Sequence, residues 1–212
     1  MTAMKAENDL GTIRSLVERR EIYRTIFARV AVTIGALSIL ASSASYVNDE
    51  VRQFFGRPVG PREFAFAWIA IFGFSGVVAG LFLARAVRGN GDALFPARTK
   101  MVLNTIAPCL LIAAAFTTWF FGTGYLGAAE LDLVIVWIAT YGLMLLSTSF
   151  FAPRSIALLG WAFLLTGVST PVLADKIDNL TGNVPVTLMG VTFGVYHIIY
   201  AALNWRAVQM KS

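Results

Sequence analysis

The chain has 212 residues, of which 57% are hydrophobic and 14% charged, with a mean hydropathy of +0.70; an average soluble domain carries about 25% charged residues. Charge this sparse, in runs this apolar, argues for a membrane rather than a large soluble core. The net charge of +5 forms no compact basic stripe, which excludes a nucleic-acid interface, and the one cysteine, Cys109, excludes an internal disulfide and a cysteine-built metal cage.

The first 24 residues, MTAMKAENDLGTIRSLVERREIYR, are charged and lack an apolar segment of the kind a signal peptide carries. Within them, residues 9–24 read as an amphipathic helix. Leu10, Ile13, Leu16, Val17 and Tyr23 fall near one face, with Arg14, Glu18, Arg19, Arg20 and Glu21 on the other. Such a helix lies in the headgroup region with its cations on anionic lipid, or serves as a docking arm, or extends the first membrane helix.

A spanning helix needs roughly 20 mostly apolar residues. Six runs meet this: 26–47, 64–87, 101–121, 131–151, 155–174 and 186–205. Run length decides for helices, because a barrel strand crosses in about 10 residues and alternates in polarity. The expected fold is all-α. A cytoplasmic amphipathic segment (1–25) precedes a polytopic bundle of six transmembrane spans (26–205), and a short cytoplasmic tail (206–212) completes the chain. No separate soluble domain remains.

The second run contains Gly76 and Gly80 four apart, and the sixth contains Gly190 and Gly194 at the same spacing. Small residues so placed let membrane helices approach closely, within one chain or between copies. Pro108 and Pro171 sit within or near the ends of the third and fifth runs, where proline removes a backbone hydrogen bond and tends to kink a helix. Only residues 152–154 separate the fourth and fifth runs, which forces an antiparallel hairpin. The segments 48–63, 122–130 and 175–185 read as loops on one side, the first being the longest; Asn179-Leu180-Thr181 in the last matches a glycosylation acceptor. These three segments hold 4 of the 17 basic residues, and the other 13 flank the spans on the opposite side, with both termini. Cytoplasmic loops carry the Lys/Arg excess, so both termini are expected to be cytoplasmic.

All 12 carboxylates fall outside the spans or at their edges. Ion-coupled pumps and proton relays place charged groups inside the bundle despite a cost of roughly 2.5–3.5 kcal/mol each. A proton-driven transporter and a metal site are therefore disfavoured, and a haem held by two histidines needs one more than this chain has. No cofactor is expected. The single histidine lies in the stretch GVYHIIYAALNW. His197, Tyr200 and Asn204 fall at i, i+3 and i+7 on one helical face, with Tyr196 beside them. Facing lipid they would leave donors unsatisfied, so the face is expected to turn inward. It then either pins helices together by hydrogen bonds or lines a small ligand pocket. One catalytic reading also arises. Gly73-Phe74-Ser75-Gly76 resembles the G-x-S-G setting of rhomboid intramembrane proteases, with His197 as the base. In that family the serine is on the fourth core helix rather than the second, and a further histidine motif is present that this chain lacks. The competing reading has Ser75 bonded to its own i−4 carbonyl.

The third run after its glycine-bearing link, RTKMVLNTIAPCLLIAAAF, and the last two, LLGWAFLLTGVSTPVL and LMGVTFGVYHIIYAALNWR, resemble a group of bacterial integral membrane proteins of about 200 residues with no established activity. The resemblance implies a bacterial inner-membrane protein and singles out Ala107-Pro108 and Gly194 with His197. The leading expectation is a non-enzymatic accessory or regulatory membrane component. It would contact lipids and a protein partner or further copies of itself through its glycine-rich faces. A small permease or binder of an uncharged or lipidic ligand, using His197, Tyr200, Asn204 and Tyr196, is the alternative, and an intramembrane serine hydrolase is third.

Overall fold

A computed structural model describes residues 27–47, 61–89, 97–123, 129–149, 154–181 and 183–209. The amphipathic segment at 9–24, most of the first loop, the link at 90–96 and the last three residues lie outside these. Six helices are long and apolar enough to cross a membrane, and the described residues contain no strand. They are α1 (Phe27–Val47), α2 (Pro61–Gly89), α3 (Ala97–Thr123), α4 (Ala129–Thr148), α5 (Arg154–Thr181) and a composite sixth span. That span is α6 (Val184–Met189), a π-helical turn (Gly190–Tyr196) and α7 (His197–Gln209) without a break.

The helices outlast their apolar runs. The 28 residues of α5 extend about 42 Å at about 1.5 Å per residue, against about 30 Å of hydrocarbon. Its final turns carry exposed Asp175, Lys176 and Asp178. The stretch 175–185, expected as a loop, is thus helical as far as Thr181, since polar side chains on an unbroken helix stay solvated beyond the apolar layer. Asn179 of the glycosylation match lies on this helical end. The chain then re-enters at Asn183, whose side chain accepts the Val186 N–H at 3.2 Å and caps α6. Pro185 falls in the first turn, where its missing N–H costs no helical bond.

Glycine sets the closest approaches. A Cβ on Gly142 of α4 would lie 2.7 Å from the Leu164 nitrogen and 2.9 Å from the Gly160 oxygen; one on Gly160 would lie 3.0 Å from the Gly142 oxygen. The α4–α5 hairpin therefore packs backbone on backbone. In the sixth span, Gly190 and Gly194 lie against α1: a Cβ there would meet Ser42 Oγ at 2.8 Å and Ile39 at 2.7 Å respectively. Gly76 and Gly80, also expected at a helix contact, have no heavy atom within 4 Å of an added Cβ. Their spacing creates a flat face, but no helix among the described residues covers it.

Aromatic side chains also link α2 to α3, α4 and the sixth span. Phe64, Ala65 and Trp68 of α2 belong to the buried core, and the Phe72 ring lies 5.4 Å from Trp137 of α4 and 4.8 Å from Phe193 of the π turn. Phe66 stacks on Phe121 of α3 at 4.7 Å. Trp137 Nε1 donates to Thr117 Oγ1 of α3 at 2.9 Å. Trp68 and Trp137 are core residues, whereas Trp119 and Trp205 are exposed, as tryptophans at a membrane boundary are.

Candidate functional site

The side chains that could do chemistry at mid-depth converge on the sixth span. Its π turn holds one more residue than an α turn, which rotates the residues beyond it by about 100° relative to an uninterrupted helix. Around this turn Gly190 and Gly194 meet α1, while Phe193 and His197 meet Tyr141 of α4 and Phe163 of α5. Turns of this type recur at functional sites.

His197 is 2% exposed. Its Nε2 lies 2.9 Å from the Tyr141 hydroxyl on α4. Phenol is the stronger acid of the two neutral groups, so we assign it as the donor, which leaves the imidazole proton on Nδ1. Three rings enclose the histidine. Tyr141 and Phe163 have centroids at 5.6 and 5.5 Å, the latter edge-on, and Phe193 stacks at 6.2 Å with planes 14° apart. Nδ1 is buried and makes no hydrogen bond among the described residues, although the Thr192 and Phe193 carbonyls lie near the ring.

Asn204 and Tyr196 are tied to α5. Asn204 accepts from the Ser155 hydroxyl at 3.1 Å and donates to the Tyr200 carbonyl at 2.7 Å. The Tyr196 hydroxyl lies 2.9 Å from Thr166 Oγ1. Tyr200 is buried on the same side as His197 and Asn204. The structure thus brings His197, Tyr200 and Asn204 onto one inward face and turns Tyr196 towards α5. At the other end of the span, the Tyr46 hydroxyl of α1 bonds Thr187 Oγ1. Sequence reading missed the partners Tyr141, Thr166 and Ser155. Counting depth would have found the first: Tyr141 lies 11 residues into the span that starts at Glu130, and His197 13 into the one that starts at Val184, a difference of about 3 Å.

Ser75 is 5% exposed, and its Oγ bonds no described residue. It closes neither onto its own i−4 carbonyl, as one reading expected, nor onto His197. The serine–histidine pair that a rhomboid-like hydrolase needs is not formed. A Cβ added at Gly73 or Gly76 likewise meets no described residue within 4 Å. Among the described residues no cluster of three His, Cys, Asp or Glu side chains is arranged to hold a metal.

Compared with protein-family models, with curated proteins and with solved structures, the chain matches none.

Proposed function

We propose that this chain is a non-enzymatic accessory or regulatory component of a bacterial inner membrane. It crosses six times with both termini cytoplasmic and acts by contact with a membrane protein partner or a second copy. The bare face of α2 carries this reading. Gly73, Gly76 and Gly80 leave a backbone-lined surface with no described residue within 4 Å of an added Cβ, flanked by exposed Phe74, Val77 and Leu81. The other close-packing glycines, such as Gly35, Gly142, Gly160 and Gly194, are covered by neighbouring helices. The polar groups at depth support a non-enzymatic role, since Tyr196, Asn204 and Nε2 of His197 are engaged in ties between helices. The orientation rests on the 13 basic residues at one set of ends against 4 at the other.

A photo-reactive amino acid at Val77, irradiated in intact membranes, tests the contact. A discrete cross-linked species that Gly76→Leu abolishes is the expected result. Absence of any adduct at Val77 and at Phe74, with a monomer alone in native mass spectrometry, would refute it. Orientation is tested separately in a Cys109→Ala background. A cysteine replacing Asp178 should react with a membrane-impermeant maleimide added to intact cells, and reaction only after permeabilisation would reverse the topology.

A further inference from the structure

Most hydroxyls within these helices satisfy themselves on their own turn. Ser45, Thr117, Thr140, Thr166, Thr170 and Thr192 each donate to the carbonyl four residues back, at 2.6–2.9 Å. Ser38, Ser42 and Ser75 do not. All three are buried, and none bonds any described residue. Leaving a buried donor unmet costs about 1–3 kcal/mol, and no bulk water is at hand in hydrocarbon to make good the loss.

Ser42 lies against Gly190, whereas Ser38 and Ser75 share a level with His197. The second and sixth of six alternating crossings run in the same direction, and their Phe72 and Phe193 rings are 4.8 Å apart. Ser75 lies three residues beyond Phe72 and His197 four beyond Phe193, so each sits on the face its ring defines, about 4.5 and about 6 Å deeper. A serine where the preceding turn carried a phenyl ring fills far less of the interior. On α1, an added Cβ at Gly35 would meet Ile198 and the Gly194 oxygen, and one at Gly194 would meet Ile39. Those contacts bracket Ser38 at the same level.

We infer that Ser75, Ser38 and Nδ1 of His197 form a mid-membrane binding site for water. The lining is uncharged and offers hydroxyls that both donate and accept, together with an imidazole N–H, inside an aromatic surround. Water is the smallest molecule that satisfies both kinds of group, and two to four polar partners are what a buried water requires. The site lies at Nδ1, across the ring from the Tyr141 tie and away from the Tyr200–Asn204 end, where Asn204 is tied to Ser155. It does not depend on the partner role proposed for the outer face of α2.

The single histidine makes the test direct. Full-length protein labelled with ¹⁵N-histidine, in phosphatidylethanolamine–phosphatidylglycerol vesicles, gives one Nδ1 and one Nε2 resonance. In water-edited solid-state spectra, magnetisation should build up at Nδ1 at least twofold faster than at Nε2, which Tyr141 shields. Ser75→Ala should cut the Nδ1 build-up by half or more and lower the melting temperature, and Ser38→Ala should act in the same direction. A build-up at Nδ1 no faster than at Nε2 would mean that Nδ1 donates to the Thr192 or Phe193 carbonyl, which overturns the inference. So would a Ser75→Ala protein that melts at the same or a higher temperature, as removal of a dry, orphaned hydroxyl predicts. Water at Nδ1 unaffected by either serine variant overturns the assignment of the serines.

Discussion

Replacing Gly142 with alanine places a methyl group against backbone that cannot rotate aside. The nearest atoms are the Leu164 nitrogen at 2.7 Å, the Gly160 oxygen at 2.9 Å and Leu164 Cα at 3.1 Å. Against a normal carbon contact the shortfall is roughly 0.7 Å, and dispersion contacts along the seam weaken steeply over such a distance. Overpacking of this kind costs about 1–3 kcal/mol, and parting the helices forfeits Cα–H···O contacts worth ~0.5–1 kcal/mol each. The expected loss is about 2 kcal/mol, or roughly a thirtyfold shift of the unfolding equilibrium. Gly76→Ala is the control. The same methyl there meets no described residue within 4 Å, so the change should be neutral or stabilise by up to about 1 kcal/mol, the helical preference for alanine over glycine. Both variants are titrated with SDS in mixed micelles and followed by far-ultraviolet circular dichroism. Equal midpoints for the two would refute the claim that glycine at the α4–α5 crossing sets the bundle's stability.

The polar ties predict three further outcomes. Tyr141→Phe leaves Nε2 of His197 buried without its 2.9 Å partner; the same titration should show a loss of about 1–2 kcal/mol, with a displaced Nε2 resonance. Ser155→Ala and Asn204→Ala, singly and together, should give a coupling energy of about 0.5–1 kcal/mol in a double-mutant cycle, and additive effects would show that the 3.1 Å contact contributes nothing. Thr117→Val removes the acceptor of the Trp137 N–H, so hydrogen exchange should quicken in α3 while α5 keeps its protection.

Much of this architecture was legible because hydrocarbon imposes a length. Six apolar runs imply six helices whatever their neighbours, and the unsatisfied donors of His197, Tyr200 and Asn204 dictate an inward face. The π turn was not legible: the glycines and β-branched residues of GVTFGVY weaken the α-helical path, but membrane helices commonly tolerate both. The contacts of Gly190 and Gly194 with α1 and of Phe193 and His197 with α4 and α5 are visible only in three dimensions. Four-residue glycine spacing marks a flat patch on one helix without saying what lies against it. Gly190 and Gly194 have the spacing and pack on α1, Gly76 and Gly80 have it and meet no described residue, and Gly142 and Gly160 make a backbone-on-backbone crossing without it.

The distribution of ties bears on how the molecule could respond to a partner. Lipid tails are as apolar as leucine, so helices in a membrane are held by close packing and hydrogen bonds rather than by hydrophobic drive. By that measure α4, α5 and the sixth span form the firm part, with glycine-set backbone contact and side-chain bonds at several depths. Half of the sixth span is buried inside the molecule, against 22% of the α2 span and 6% of the α3 span. The α2 helix thus lies between two unlike surfaces. Gly76 opens outward and Ser75, its neighbour in sequence, is buried. A rigid helix cannot shift one of these residues without the other. Pressure on the outer face of α2 therefore acts on the interior of the bundle through a single helix.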